Sequence, residues 1–413
     1  MRTTLLAPGA HEAPRGLTPG LLVLLGSLIG FAPLAIDMYL PAFPTMAQDL
    51  HAPESAVQGT LAAYLAGMAA GQIAYGQLAD RWGRRLPLML GLALFLLASL
   101  GCAQAASVGE LTAWRLLQAL GGCAGVVMPL TIVADRVQGE AEMARAMSRL
   151  MAVIGLAPVA APSLGTAVLG LTSWRGIFVL LAVLAAAALV AVWRGLDDHR
   201  PVHHAPAGTP RPGPLQAWGT LLRDRRFALA VLVGPLASAG MFAYIGASAF
   251  VLIGQHGLST GQFSAVFAAN ALVLTLASQV NAQLVRRWRP TQVLAAALPA
   301  VTLVGLGLVG LGWWAPQALW PLLLGLGLFM AGLGLVSANG SALALSGHAP
   351  QHRGLASGLM GTLQFALGAA VGAALEAGGH VDASVMALAM TGCAAAAWAA
   401  ALARQRLAPP ATA

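Results

Sequence analysis

Apolar residues fill the chain in blocks of about 20, and short polar gaps separate the blocks. Each block is long enough to cross the roughly 30 Å hydrocarbon core of a bilayer as a helix. The pattern predicts twelve spans, at 20–46, 56–76, 87–105, 110–134, 150–170, 175–194, 227–251, 260–284, 292–313, 317–340, 354–378 and 383–403. An even number of spans puts both termini on one side. The longest polar stretch, 195–226, is rich in Pro and charge. It predicts a linker between an N-terminal six-helix bundle, 1–194, and a C-terminal one, 227–413. The fold class is therefore all-α and integral to the membrane.

Composition supports this reading. Of 413 residues, 58% are hydrophobic and 9% are charged, whereas a soluble chain carries about 25% charged residues. The net charge is +8, but every one of the 22 basic residues is Arg and they lie in the gaps, not in one patch. No nucleic-acid partner is expected. With the termini in the cytoplasm, twenty Arg fall in cytoplasmic segments and only Arg115 and Arg175 lie toward the other side, which sets the orientation. The first span lacks an A-x-A cleavage site and reads as a retained helix.

Several chemistries are not expected. Cys102, Cys123 and Cys393 sit inside spans without metal-like spacing and predict small core residues, with no disulfide. His203 and His204 in the linker read as solvated, and His348 and His352 flank Pro350 in a loop, so no metal site is expected. There is no nucleotide-binding G-x-x-x-x-G-K-[ST], so ATP is not the drive.

The chain repeats. Gln77–Trp82, QLADRW, follows span 2, and Gln283–Trp288, QLVRRW, follows span 8 at an offset of 206. The same offset carries the start of span 1 to the start of span 7. Two parallel six-helix halves with a ligand site between them are expected.

Two charges fall clearly within spans, Asp37 in span 1 and Arg115 in span 4; Glu376 is a marginal third, near the outer end of span 11. A charge at mid-bilayer costs about 3 kcal/mol on insertion scales. Asp37 lies roughly 13 Å from the outer end of its span and Arg115 roughly 7 Å from the start of its own, a difference an Arg side chain can bridge. The two either form an ion pair that fixes helix packing or share a water-filled cavity. In the second case Asp37 is a proton carrier: desolvation raises a carboxylate's pKa and a nearby cation lowers it, so alternating exposure can load and unload it. A bound cation or dipole would compete with the proton. All nine His are in loops or at span ends.

The offset maps Asp37 to Ala243 and Arg115 to Pro321, so the proton chemistry is expected in the first half and an apolar and amide wall in the second. Candidates for the substrate cavity are Tyr39, Tyr64 and Met68 from the first half. The second half offers Phe242, Tyr244, Phe250, Phe267, Asn270, Asn339, Gln364 and Phe365. Aromatic side chains in spans also serve simply as core or lipid-facing groups. Pro33 and Pro41 stand four residues to each side of Asp37, where they can bend the helix and free carbonyls beside it.

The stretch GQLADRWGRR resembles the loop motif G-x-L-x-D-R-x-G-R-[RK] of the major facilitator superfamily. It meets each fixed position, at Gly76, Leu78, Asp80, Arg81, Gly83, Arg84 and Arg85. Span 4 resembles the R-x-x-Q-x-x-G motif of proton-coupled drug antiporters, with Arg115, Gln118 and Gly121. Span 5 is similar to the antiporters' Gly/Pro motif at Pro158, Pro162 and Gly165, and departs from it at Thr166, where many relatives have a second Gly. With Asp37-Met38-Tyr39-Leu40-Pro41, the set resembles the Bcr/CflA branch of bicyclomycin and chloramphenicol resistance exporters.

The resemblance implies the major facilitator fold, twelve transmembrane helices in two pseudo-symmetric six-helix bundles. It implies no enzyme activity, but a proton-coupled efflux antiporter that exports small amphipathic drugs by alternating access. The setting would be the bacterial inner membrane, with a monomer as the unit, the proton gradient as the drive and no cofactor. It further implies that Asp80 meets the N-terminus of span 11 as a cytoplasmic latch, with Asp135 and Arg136 as charged partners, and that span 5 packs on span 8. Read without the family, those charges only set topology, and the prolines of span 5 bend and pack it. In the second repeat Arg286 and Arg289 replace Asp80 and Gly83, so that loop reads as topological. A proton-coupled importer of a small polar metabolite on the same fold is the alternative; it would favour more cavity charges or Gln/Asn clusters than this chain has. A membrane sensor or enzyme would need a paired-carboxylate or His cluster, or a soluble domain.

Overall fold

The computed structural model describes residues 18–137, 139–197, 214–345 and 350–407. His203, His204 and His348 lie outside these residues, as do the side chains of Asp80 and His352. Every regular element described is helical. The first half holds α1 (Pro19–Asp37), α2 (Phe43–Asp49), α3 (Glu54–Trp82), α4 (Arg85–Gln104), α5 (Val108–Arg136), α6 (Glu140–Leu171) and α7 (Trp174–Gly195). The second holds α8 (Pro214–Leu222), α9 (Arg225–Ala249), α10 (Thr260–Leu284), α11 (Pro290–Trp314), α12 (Leu319–Leu345), α13 (Pro350–Ala377) and α14 (Ala383–Arg406).

Eleven segments among the described residues are long and apolar enough to cross a membrane, α1 and α2 counting as one. The twelfth span is α3, whose 29 residues include Gln58, Gln72 and Gln77. It packs between α5 and α13, with Gln58 buried and Gln72 against Gly361. A helix enclosed by protein needs less apolar surface than one facing lipid. Exposed tryptophans mark the two membrane interfaces, Trp82, Trp193 and Trp288 at the Arg-rich ends and Trp114, Trp313, Trp314 and Trp320 at the opposite ends.

The first span is not the continuous helix expected over 20–46. It stops at Asp37, passes through a 3₁₀ turn at Leu40–Ala42, and resumes as α2. Pro41 has no N–H for the Asp37 carbonyl and Pro44 none for that of Leu40. The Ala42 amide donates instead to the Tyr39 carbonyl at 3.0 Å. Pro33 stays inside α1 without breaking it. The repeat-related helix α9 ends differently, in a π-helical turn at Phe250–Gln255.

The linker also departs from expectation. Pro214–Leu222 form α8, and Trp218 Nε1 donates to the Leu355 carbonyl at 3.1 Å, so the segment docks on α13. Trp218 is amphipathic enough to bury its ring while satisfying its N–H.

At the outer ends each half is tied by one side chain. The Asp49 carboxylate accepts from Trp174 Nε1 at 3.0 Å and Arg175 Nη1 at 2.9 Å, and Arg175 Nη2 reaches the Ala105 carbonyl at 3.2 Å. Its partner in the repeat, Gln255, accepts from the Ala383 amide at 3.1 Å and donates to the Pro316 carbonyl at 3.3 Å. The halves meet along two seams, α3 with α13 and α6 with α10. They also touch through the rings of Phe43 and Phe250, 5.4 Å apart.

Candidate functional site

A cavity of about 310 Å³ lies between the halves, lined by α1, α5 and α6 on one side and by α9, α10, α12 and α13 on the other. It is within the size range of small-molecule sites. Among the described residues, Asp37 is the one charged residue on its wall. The residue closes the last turn of α1, is 3% exposed, and its Oδ1 has no hydrogen-bond partner. The helix break thus places a carboxylate, with acceptor capacity to spare, at the edge of an apolar space.

Arg115 is elsewhere. It is fully buried inside the first half, with its guanidinium between the rings of Tyr39 (4.3 Å) and Tyr64 (4.2 Å). Nη1 donates to Gln118 Oε1 at 2.6 Å, and Gln118 Nε2 donates to Ser99 Oγ at 2.8 Å. Tyr39 is held in turn by Thr60 at 3.3 Å. No ion pair joins Asp37 and Arg115 among the described residues, so the ion-pair reading is corrected. The two aromatic faces supply the cation–π attraction that makes a desolvated guanidinium tolerable. Arg115 does not line the cavity either.

Tyr39, Tyr64 and Met68, proposed from the sequence for the cavity wall, are fully buried in the first half and do not line it. The two tyrosines serve Arg115, and Met68 packs in the core with its carbonyl accepting from Cys123 Sγ at 3.6 Å. From the second half, Phe242, Tyr244, Phe267, Asn270, Gln364 and Phe365 do line the cavity. Tyr244 and Phe267 stack at 5.7 Å, Phe242 and Phe365 lie 5.9 Å apart, and Asn270 Nδ2 donates to the Tyr244 hydroxyl at 2.9 Å. Phe250 belongs to the outer contact with Phe43. Asn339 is also away from the cavity: its Nδ2 donates to Asn281 Oδ1 at 2.6 Å and to the Leu335 carbonyl at 2.7 Å. Sequence reasoning passed over Met241, Thr275 and Met330 on the wall; only their place in apolar spans could have suggested them.

On α6, Pro158 lines the cavity. A Cβ on Gly165 would overlap the Met38 carbonyl, so this glycine packs on the broken part of span 1 in its own half. The contact to the other half is made beside it. Ser264 Oγ of α10 donates to the Pro162 carbonyl at 3.1 Å and lies 2.8 Å from Thr166 Oγ1. Thr166, the departure from the Gly/Pro motif, therefore carries a hydrogen bond that a second glycine could not.

At the cytoplasmic loop, Gly83 caps α3 with φ at +79°, a conformation that glycine adopts without penalty. Arg84 pairs with Asp135 at 2.9 Å and donates to the Ala79 carbonyl; Arg85 donates to the Trp193 carbonyl at 2.6 Å. Asp135 is thus held by Arg84 of the loop motif, within its own half. Arg81 is exposed and Arg136 half-buried, and a Cβ on Gly76 would meet nothing.

Comparison with known proteins agrees with this architecture. A family model described as Major Facilitator Superfamily matches residues 25–373. An "Uncharacterized MFS-type transporter YdgK" of Bacillus subtilis is 36% identical over 61% of this chain, and the match spans 62% of that relative's length. A "Bicyclomycin resistance protein homolog" of Haemophilus influenzae is 30% identical over 84% of this chain and 86% of its own. Among solved structures, a bacterial homolog to the human lysosomal transporter Spinster, inward-facing and occupied, superposes with a TM-score of 0.72 at 16% identity, covering 96% of this chain and 100% of that one.

Proposed function

The chain belongs to the major facilitator superfamily of membrane transporters, and on that premise we propose that it is a proton-coupled antiporter exporting small amphipathic drugs. Asp37 carries the proposal: among the described residues it is the single charged group on the cavity wall, buried, with an unpartnered oxygen. A protonated Asp37 is neutral and suits the apolar cavity; an ionised one attracts a cation or a hydrogen-bond donor. Drug and proton then exclude one another at the same carboxylate, and that exclusion makes alternating access an exchange.

The aromatic wall of the second half supplies area for the apolar part of the drug, and the Asn270–Tyr244 pair and Gln364 supply a few polar contacts. A polar metabolite would find too few partners there, which disfavours the importer. The name of the Haemophilus relative supports a drug as cargo. The proton gradient is the drive, no cofactor takes part, and a monomer holds the complete site. The Arg-rich ends face the cytoplasm of a bacterial inner membrane, where both termini lie.

The test is export in a drug-sensitive bacterium and in proteoliposomes. The protein should raise tolerance to chloramphenicol or bicyclomycin, and Asp37→Asn should abolish this at equal protein level. Normal export by Asp37→Asn under a pH gradient would overturn the proton-carrier role.

A further inference from the structure

Gln58 of α3 is 1% exposed, yet neither its amide nitrogen nor its amide oxygen has a hydrogen-bond partner. Native interiors rarely leave both ends of an amide unused. The side chain lies at the seam with the second half, against Gly246 of α9, where an added Cβ would stand 3.1 Å from Gln58 Nε2 and 3.2 Å from Cγ. Gly246 directly follows Tyr244 and Ile245, which line the cavity. On α3, Leu65 lies at Gly368 beside Phe242 of the cavity wall, and Gln58 sits two turns outward from it, roughly 10 Å. Farther out, Phe43 and Phe250 close the halves together. Gln58 therefore stands between the cavity and the outer closure, on the surface that separates when that closure opens.

The other seam is different. Ser264, the residue at the repeat offset from Gln58, spends its hydroxyl on the Pro162 carbonyl and Thr166. The α3 side keeps a free donor and a free acceptor where the α10 side keeps neither.

We propose that Gln58 is an outer-side subsite that takes an amide or hydroxyl group of the exported molecule as the halves part. The proposal rests on the export reading above. With the outer ends together, Gly246 covers the Gln58 amide; with them apart, Nε2 and Oε1 are uncovered side by side. That pair matches a solute group that both donates and accepts a hydrogen bond. A wholly apolar cation gains nothing from it.

The experiment compares two probes in right-side-out vesicles holding the full-length protein. Chloramphenicol carries an amide and hydroxyls; tetraphenylphosphonium has no hydrogen-bonding group. Gln58→Leu, with Gln58→Met as a second apolar variant should the first fail to fold, is expected to weaken outer-side binding of chloramphenicol several-fold, up to about tenfold. Binding of tetraphenylphosphonium should stay within about twofold, which also verifies folding. Equal loss for both probes, or no loss for chloramphenicol, overturns the subsite. If the unaltered protein moves only tetraphenylphosphonium, the subsite falls and export stands; if it moves neither, the export reading itself falls.

Discussion

The guanidinium of Arg115 lies 4.2 Å over the ring of Tyr64 and makes no ion pair with Asp37. The two intramembrane charges are thereby separated in function. Arg115 organises the first half; Asp37 is left free at the cavity. Breaking a true buried ion pair by removing one partner costs about 3–5 kcal/mol. Asp37→Asn should cost far less, and thermal unfolding in detergent should show a midpoint at or above that of the unaltered protein. A midpoint well below it would mean that Asp37 is paired after all.

Arg115 should behave in the opposite way. Tyr64→Leu removes one of its two close aromatic faces, a loss of about 1–2 kcal/mol for a desolvated cation. Arg115→Leu leaves Gln118 without its charged donor and should lower the unfolding midpoint as well. The pair of changes together should cost less than the sum, because each removes the same contact. Strict additivity in this double-mutant cycle would show that the stacking is incidental.

The spans, the repeat and the cytoplasmic loop are legible in the sequence because they depend on length, composition and a local turn. Span edges match the helices to within a few residues at most positions, and Gly83 is readable as a turn residue before its φ is known. The orientation of side chains around each helix is not readable in the same way. One residue turns a side chain by about 100°, so Tyr39 faces Arg115 while Asp37, two positions earlier, faces the cavity. Asp135 is legible as a charged partner of the loop motif, but that it pairs with Arg84 depends on where the loop after Gly83 returns. The break at Pro41 is legible as a missing donor; that Gly165 fills the space it creates requires the packing of α6 on α1.

That packing is testable. A methyl group at Gly165 would press into the Met38 carbonyl. Backbone on both sides gives little room to relax, so Gly165→Ala should cost about 1–3 kcal/mol and lower both expression and the unfolding midpoint. Gly76→Ala is the control: its Cβ meets open space, and a helix-interior Ala is favoured over Gly by about 0.5–1 kcal/mol. Comparable damage from both substitutions would count against the close approach.

The Thr166–Ser264 bond crosses the halves near their outer ends. Thr166→Val keeps the shape and deletes the hydroxyl, so it removes roughly 0.5–1.5 kcal/mol from the outward-closed arrangement. Cysteines placed at Phe43 and Phe250, where the rings now touch, should crosslink less in the Thr166→Val background. Unchanged crosslinking would show that the bond does not hold the outer ends together.

Asn339 and Asn281 form a buried amide pair between α12 and α10, at 2.6 Å and with both residues at most 3% exposed. Asn339→Leu alone strands the Asn281 oxygen in an apolar seam, a cost of about 1–3 kcal/mol. Replacing both by Leu removes the stranded group, and the second substitution should recover part of the first loss. Transport should follow stability rather than show an effect of its own, because Asn339 is not on the cavity wall. A loss of transport by Asn339→Leu with the unfolding midpoint unchanged would instead put Asn339 back among the residues that touch the substrate.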